Sequence, residues 1–271
     1  MGFQLNYHLG NGKYVPGSRH KVCQVLSDQQ IRHVVWFEDA LAHYGVPTVV
    51  FDLYILVNDI DLAADCLAKA GWIFDMQEPY LIGNAEVDLV DFAQQRLISP
   101  DNQTRTVLLP AADWKFSLTD AQLEFADTRV CSAYSNNQSP LNVPFPSLAG
   151  FLDALIESWL ECPSNNTTLS LGLACQISYL YKYVPVLKQQ KSFVEQVRYE
   201  HRQFHLDVLA GMETGSLPFR RHQRPIRDAL RRGEYELREC SAPRDTKELF
   251  FPLGGLGSKP LEEEQQDEDT S

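Results

Sequence analysis

No stretch of this sequence stays apolar long enough to cross a membrane, and its opening residues, MGFQLNYHLGNGKYVPGSRHK, lack the basic-then-apolar order of a secretory signal. The expectation is a cytoplasmic protein, with the nucleus as the alternative, so the sequons at Asn102, Asn137, Asn165 and Asn166 read as chance matches. Cysteine is sparse: Cys23, Cys66, Cys131, Cys162, Cys175 and Cys240 never approach C-x-x-C spacing, which excludes a zinc ribbon or a redox pair and leaves free buried thiols. The P-loop, the dinucleotide glycine fingerprint and the G-x-S-x-G elbow are also missing, which disfavours those enzyme classes. Basic charge is short as well. Lys and Arg number 24 against 36 Asp and Glu, and a net charge of −12 argues against a surface tuned to nucleic-acid backbones.

That deficit is unevenly placed. Glu262, Glu263, Glu264, Asp267, Glu268 and Asp269 supply half of it, so the rest of the chain carries only −6. A Gln/Glu/Asp end cannot bury a core, and residues 243–271 read as a disordered acidic tail. The remainder has apolar material in plenty, 44% of 271 residues, for one generous domain with a helical extension.

Residues 1–24 read as an N-terminal extension and 25–139 as a mixed α/β domain. Within 28–44, Ile31, Val34, Val35, Phe37, Leu41 and Tyr44 recur at helical spacing, although Val34-Val35-Trp36 fits a short buried strand equally well. Gly45-Val46-Pro47 breaks the pattern. The β-branched and aromatic run Thr48-Val49-Val50-Phe51-Asp52-Leu53-Tyr54-Ile55-Leu56-Val57 then predicts a central strand. Asn58-Asp59 predicts the cap of a helix that Gly71 closes, and shorter strands are expected near 72–74, 80–82, 87–92 and 106–109. Residues 140–146, with three prolines, predict a hinge. Helical periodicity over 147–161, 168–183, 192–212 and, more weakly, 225–238 makes 147–242 a helical region.

The segment Trp36-Phe37-Glu38-Asp39-Ala40, then Gly45-Val46-Pro47, then Asp52-Leu53-Tyr54-Ile55-Leu56-Val57 and the helix ending in Gly71-Trp72 resembles the opening motif of the nucleotidyltransferase-fold superfamily. That superfamily includes the polymerase-β-like and antitoxin-partner transferases, and the likeness is nearest to an uncharacterised fungal group with an incomplete motif, over about residues 25 to 165. The resemblance implies an α+β fold: a mixed sheet with flanking helices, followed here by the helical region and the tail. It also implies a glycine pair that begins a helix and, fourteen residues after the second glycine, a strand bearing two metal-binding aspartates.

Two-metal phosphoryl transfer needs clustered carboxylates that hold Mg²⁺ ions about 4 Å apart. Aspartates at i and i+2 share one strand face, and here Asp52 keeps the first place while Tyr54 takes the second. Phe37-Glu38 replaces the glycine pair, adding bulk and negative charge where phosphates would approach the backbone. The resemblance makes Asp52 and Asp88 the catalytic candidates, Glu86 a further metal ligand, and Glu38 and Lys115 the nucleotide-side candidates. Lys115 has a plain surface lysine as its alternative.

The expectation is therefore a pseudoenzyme, a degenerate member acting through binding. The alternative is a divergent Mg²⁺-dependent nucleotidyltransferase acting on a hydroxyl or phosphate acceptor. A third reading takes Arg220, Arg221, Arg224, Arg227, Arg231 and Arg232, with the acidic tail, as a protein-partner module, against a solvated helix face as the simpler view. Asp59-Ile60-Asp61 has D-x-D spacing but reads as a helix cap. His201 and His205 stand four apart without a third ligand in sight and read as an exposed polar face.

Overall fold

The computed structural model describes residues 18–76, 92–127, 142–163, 166–243 and 250–251. Its architecture is mixed α+β, a mixed sheet with flanking helices. The unalternating run of strand β2 (Leu53–Val57) is buried at every position, the pattern of a strand covered on both faces. On one side it pairs antiparallel with β1 (His33–Val35), and on the other parallel with β5 (Arg105–Pro110), in register Leu53 to Thr106. Strands β4 (Gln95–Ile98) and β3 (Ile73–Phe74) extend the sheet antiparallel, giving the order β1-β2-β5-β4-β3.

β2 begins at Leu53, five residues later than its composition predicts. Arg19 donates to the carbonyls of Phe51 and Asp52, each at 3.1 Å, which ties those acceptors to a side chain. Of the two readings of 28–44, the short strand holds for β1, and the helix, α2 (Phe37–His43), starts after it. Gly45, at φ +83°, turns the chain out of α2. Helix α3 (Ile60–Lys69) forms as expected: Asp59 Oδ1 accepts from Asp61 N at 3.1 Å and Leu62 N at 2.9 Å, and Gly71 leaves the helix at φ +98°. The D-x-D pair at Asp59 and Asp61 is thus a cap, and Asp61 accepts from Gln95 Nε2 at 2.8 Å. The strands expected at 80–82 and 87–92 fall, Phe92 excepted, outside the described residues.

Two boundaries move. Residue 24 lies inside α1 (Lys21–Asp28), whose Val22, Cys23 and Leu26 are fully buried and which packs on α3, so the domain takes in residues assigned to an extension. The expected hinge is strand β7 (Asn142–Pro146), antiparallel to β6 (Leu123–Asp127) in a two-stranded ribbon that lies on β1 and α1. A two-stranded ribbon has free edges, which is where prolines such as Pro144 and Pro146 are tolerated.

Helix α4 (Leu148–Glu161), capped by Ser147, and α5 (Thr167–Tyr183) match expectation. The expected helix over 192–212 is broken into α7 (Phe193–Gln196), a 3₁₀ turn at Tyr199–His201 and α8 (Arg202–Leu209), after a short α6 (Val186–Gln189). Tertiary contacts cause the break: Asp153 of α4 accepts from Arg198 N at 3.0 and 3.2 Å, and Arg202 donates to the carbonyls of Glu195 and Val197.

The last helix, α9 (Leu217–Arg231), starts eight residues before the expected Pro225. Ser216 caps it, and Pro218 in its first turn meets the usual place for proline, while Pro225 lies on the exposed side. One continuous core joins sheet and helices. Trp36 packs between Phe116 at 5.1 Å and Phe151 of α4 at 4.8 Å, and Trp159, Phe204 and Phe219 fill the helical half.

Candidate functional site

Asp52 stands at the entrance of β2, only 13% exposed, and its nearest cation comes from the neighbouring strand. Because β2 and β5 run parallel with Leu53 opposite Thr106, the residues preceding each, Asp52 and Arg105, start side by side. Arg105 Nη1 lies 3.3 Å from Asp52 Oδ2, and its Nε lies 3.1 Å from Asp75 Oδ2, just past β3. One guanidinium therefore bridges two carboxylates. Burial pushes the Asp52 carboxyl up, against the pull of Arg105, Arg96 and Arg19. Beside it, Arg19 Nη2 contacts Asp39 at 2.6 Å and His20 Nε2 reaches the other oxygen of Asp39 at 3.1 Å.

The other motif positions are filled with rings. Phe37 is fully buried and holds φ +51°, a left-handed conformation that costs a side-chain-bearing residue about 1–2 kcal/mol. Its ring meets Tyr54 edge-on at 5.1 Å and Trp114 at 4.8 Å, and Phe92 stacks on Trp114 at 5.0 Å. Glu38 Oε2 is shut off from solvent and has no hydrogen-bond partner among the described residues. Burial pushes that carboxyl up to about 7, its own backbone amide and Arg19 opposing the effect and Asp39 and Asp52 adding to it.

Of the residues expected to converge with Asp52, Glu86 and Asp88 lie outside the described residues. Lys115 is exposed on the turn after β5, at φ +56°, and no hydrogen bond or ion pair joins it to Asp52 or Glu38. Among the described residues no group of three or more His, Cys, Asp or Glu could hold a metal ion. Among the described residues the donors do not fit a pair of Mg²⁺ ions, because Asp52 and Asp75 already face the fixed cation of Arg105.

Sequence reasoning missed Arg19, Asp75 and Arg105. Strand order alone brings them to Asp52, and the one available sign is a charge flanking an apolar strand, as Arg105 flanks Thr106-Val107-Leu108-Leu109.

The helical half corrects two expectations. His201 and His205 are buried rather than exposed, and they serve different partners. His201 Nδ1 meets Asp153 at 2.7 Å and its Nε2 meets Glu157 at 2.8 Å, while His205 Nδ1 pairs with the Tyr181 hydroxyl at 2.8 Å.

Nor is α9 a solvated arginine face. Arg220 and Arg224 donate to the carbonyls of Leu160 and Cys162 at the end of α4, groups that a helix terminus leaves without internal partners. Arg227 Nη1 and Arg231 Nη2 donate to Glu157 at 2.9 and 2.7 Å. Of the six arginines, Arg221, Arg231 and Arg232 remain on the surface, Arg231 reaching in to Glu157 and Arg232 paired with Glu234 at 2.7 Å.

A cleft of about 690 Å³ opens where the sheet half meets the helices, lined by His43 and Tyr44, by Glu124 and by Val186, Phe193 and Arg198 among others. It sits at the C-terminal end of α2, whereas Phe37 and Glu38 lie at the N-terminal end. No family model matches the chain, and no curated protein matches it. Among the described residues no helix is long and apolar enough to cross a membrane.

Proposed function

We propose that this chain is a nucleotidyltransferase-fold protein that has lost nucleotidyl transfer and acts through binding. The observation that carries the reading is the Arg105 guanidinium, seated between Asp52 and Asp75 at 3.3 and 3.1 Å. A working site of this fold would hold exchangeable divalent ions between its carboxylates. Here the neutralising cation is covalently part of the chain, so it can neither activate an attacking oxygen nor accept one as a ligand.

The aromatic packing of Phe37 on Tyr54 supports the same reading, since it fills the place of the glycine pair and of the second aspartate. The left-handed backbone at Phe37 supports kinship with the fold, because that is where the resemblance expects a glycine. An intracellular location belongs to the proposal, in keeping with the free thiols of Cys23, Cys66, Cys162, Cys175 and Cys240.

Calorimetry with ATP, CTP, GTP and UTP, each with and without Mg²⁺, tests the reading. The expected result is no Mg²⁺-dependent heat with any of the four and no nucleotide incorporated into protein or RNA acceptors. Micromolar, Mg²⁺-dependent binding that vanishes in Asp52→Ala would overturn it in favour of a divergent transferase.

A further inference from the structure

The cleft between the two halves carries opposite charges on its two walls. On the sheet side stands Glu124 of β6, half exposed. Its neighbours are the Tyr44 hydroxyl, which also donates to Pro146 O, and His43 Nε2 at 3.8 Å. His43 is stacked on Phe145 at 4.2 Å, and burial pushes it down to about 4, so it stands neutral at pH 7. Glu124 thus has an uncharged escort.

On the helical side stands Arg198, 36% exposed. Its Nη2 donates to the Asp153 carbonyl at 3.4 Å, and its guanidinium approaches the carboxylates of Asp153, Glu157 and Glu200 only at 3.9, 4.0 and 3.8 Å, outside the 2.7–2.9 Å or so of a charge-assisted hydrogen bond. Its Nε is shut off from solvent without a hydrogen-bond partner among the described residues. The carboxylate of Asp153, which also borders the cleft, is turned to the Arg198 amide and to His201. Between the charged walls lie the apolar side chains of Leu148, Val184, Val186 and Phe193.

We infer that this cleft binds a small zwitterion of dipeptide size with apolar side chains. Its ammonium would sit against Glu124 and the Tyr44 ring, and its carboxylate against Arg198. A dipeptide carries its ammonium and carboxylate at opposite ends of a short backbone, matching charges that stand on different walls, whereas a single amino acid carries both on one carbon. A volume of about 690 Å³ falls in the range of small-molecule sites. The site is distinct from Asp52, so it stands or falls apart from the nucleotide experiment.

The test is calorimetry on the full chain with leucyl-phenylalanine, its N-acetyl derivative and its C-terminal amide. The free dipeptide binds saturably, and each blocked form, lacking one charge, binds about tenfold more weakly. Glu124→Gln removes the difference between the free and N-acetylated forms but keeps the preference over the amide. Val186→Trp, at a position 41% exposed, fills the cleft and abolishes binding without changing the thermal melt. Equal binding of the three peptides, undiminished binding by Val186→Trp, or no saturation at about 10 mM each overturns the proposal.

Discussion

Among the described residues, the ion cluster at the mouth of β2 and the one among the helices are built on opposite terms. In the helices both oxygens of Glu157 receive donors: Oε1 from Arg227 at 2.9 Å, and Oε2 from His201 at 2.8 Å and Arg231 at 2.7 Å. Burial pushes the Glu157 carboxyl up, yet the hydrogen bond and charge of His201, with Arg227 and Arg231, outweigh it and hold the group down to about 2.

At β2 the balance is reversed. Glu38 has an orphaned oxygen and is pushed up to about 7, and Asp52 is pushed up despite three arginines nearby. A cluster in which every lone pair is met is architecture, here tying α4 to α8 and α9. One that leaves a buried carboxylate unmet bears the mark of a place shaped for something else. Histidine is a frequent acid, base or metal ligand in proteins, but His201 belongs to the first kind of cluster, with both ring nitrogens committed to carboxylates.

The comparison breaks most sharply at Glu157. Glu157→Ala takes an acceptor from His201, Arg227 and Arg231 at once, although Asp153 still holds His201 and Glu161 and Asp228 still hold Arg227, and chemical denaturation should show a loss of about 3–5 kcal/mol. Phe37→Gly removes a fully buried ring but relieves its left-handed backbone, for a net loss of about 2–4 kcal/mol in the same measurement.

Asp52→Asn removes a charge that burial disfavours more than the nearby arginines favour it, and Arg105 keeps Asp75, so its effect on stability at pH 7 should stay within about 1 kcal/mol. Glu38→Gln should stabilise the protein by about 1 kcal/mol at pH 8, where the wild-type side chain is ionised with one buried oxygen lacking a hydrogen-bond partner.

The pH dependence separates the two regions by sign. Glu157 has a folded value below its ordinary one, so its contribution is complete above about pH 4.5 and is lost as pH falls toward 2. Glu38 has a raised folded value, so the native state holds its proton longer than the unfolded chain, and stability falls as pH rises from about 4.5 to 7. Unfolding curves across pH 2 to 8 should show the acid limb flattened in Glu157→Gln and the slope between about pH 4.5 and 7 reduced in Glu38→Gln.

Much of the fold could be read along the chain. The Asp59 cap, the Gly71 stop, the buried run of β2, and helices α4 and α5 lie close to where local pattern puts them, because each is specified by neighbours a few residues apart. The misreadings share one cause. Residues 192–212 have the spacing of a single helix, but Asp153, forty-five positions away, takes the amide of Arg198 and splits it. The prolines before α4 suggest a hinge, but β6 lends them a ribbon. For the candidate site, Phe37, Glu38, Asp52 and Tyr54 were identifiable, and their partners Arg19, Asp75 and Arg105 were not. Strand order puts those arginines and Asp75 beside Asp52, and no short-range pattern encodes it.

The order of residues alone determined which segments are apolar, where several helices start, and that Asp52 stands at the head of the run to Val57 with Tyr54 two places on. It could not determine what that carboxylate would face. Charge pairing across parallel strands depends on register, and register is chosen by the packing of the whole sheet. The packed sheet gave Asp52 a guanidinium as its neighbour, and the packed helices turned an arginine-rich surface inward onto the end of α4, because buried acceptors need donors wherever the chain can bring them.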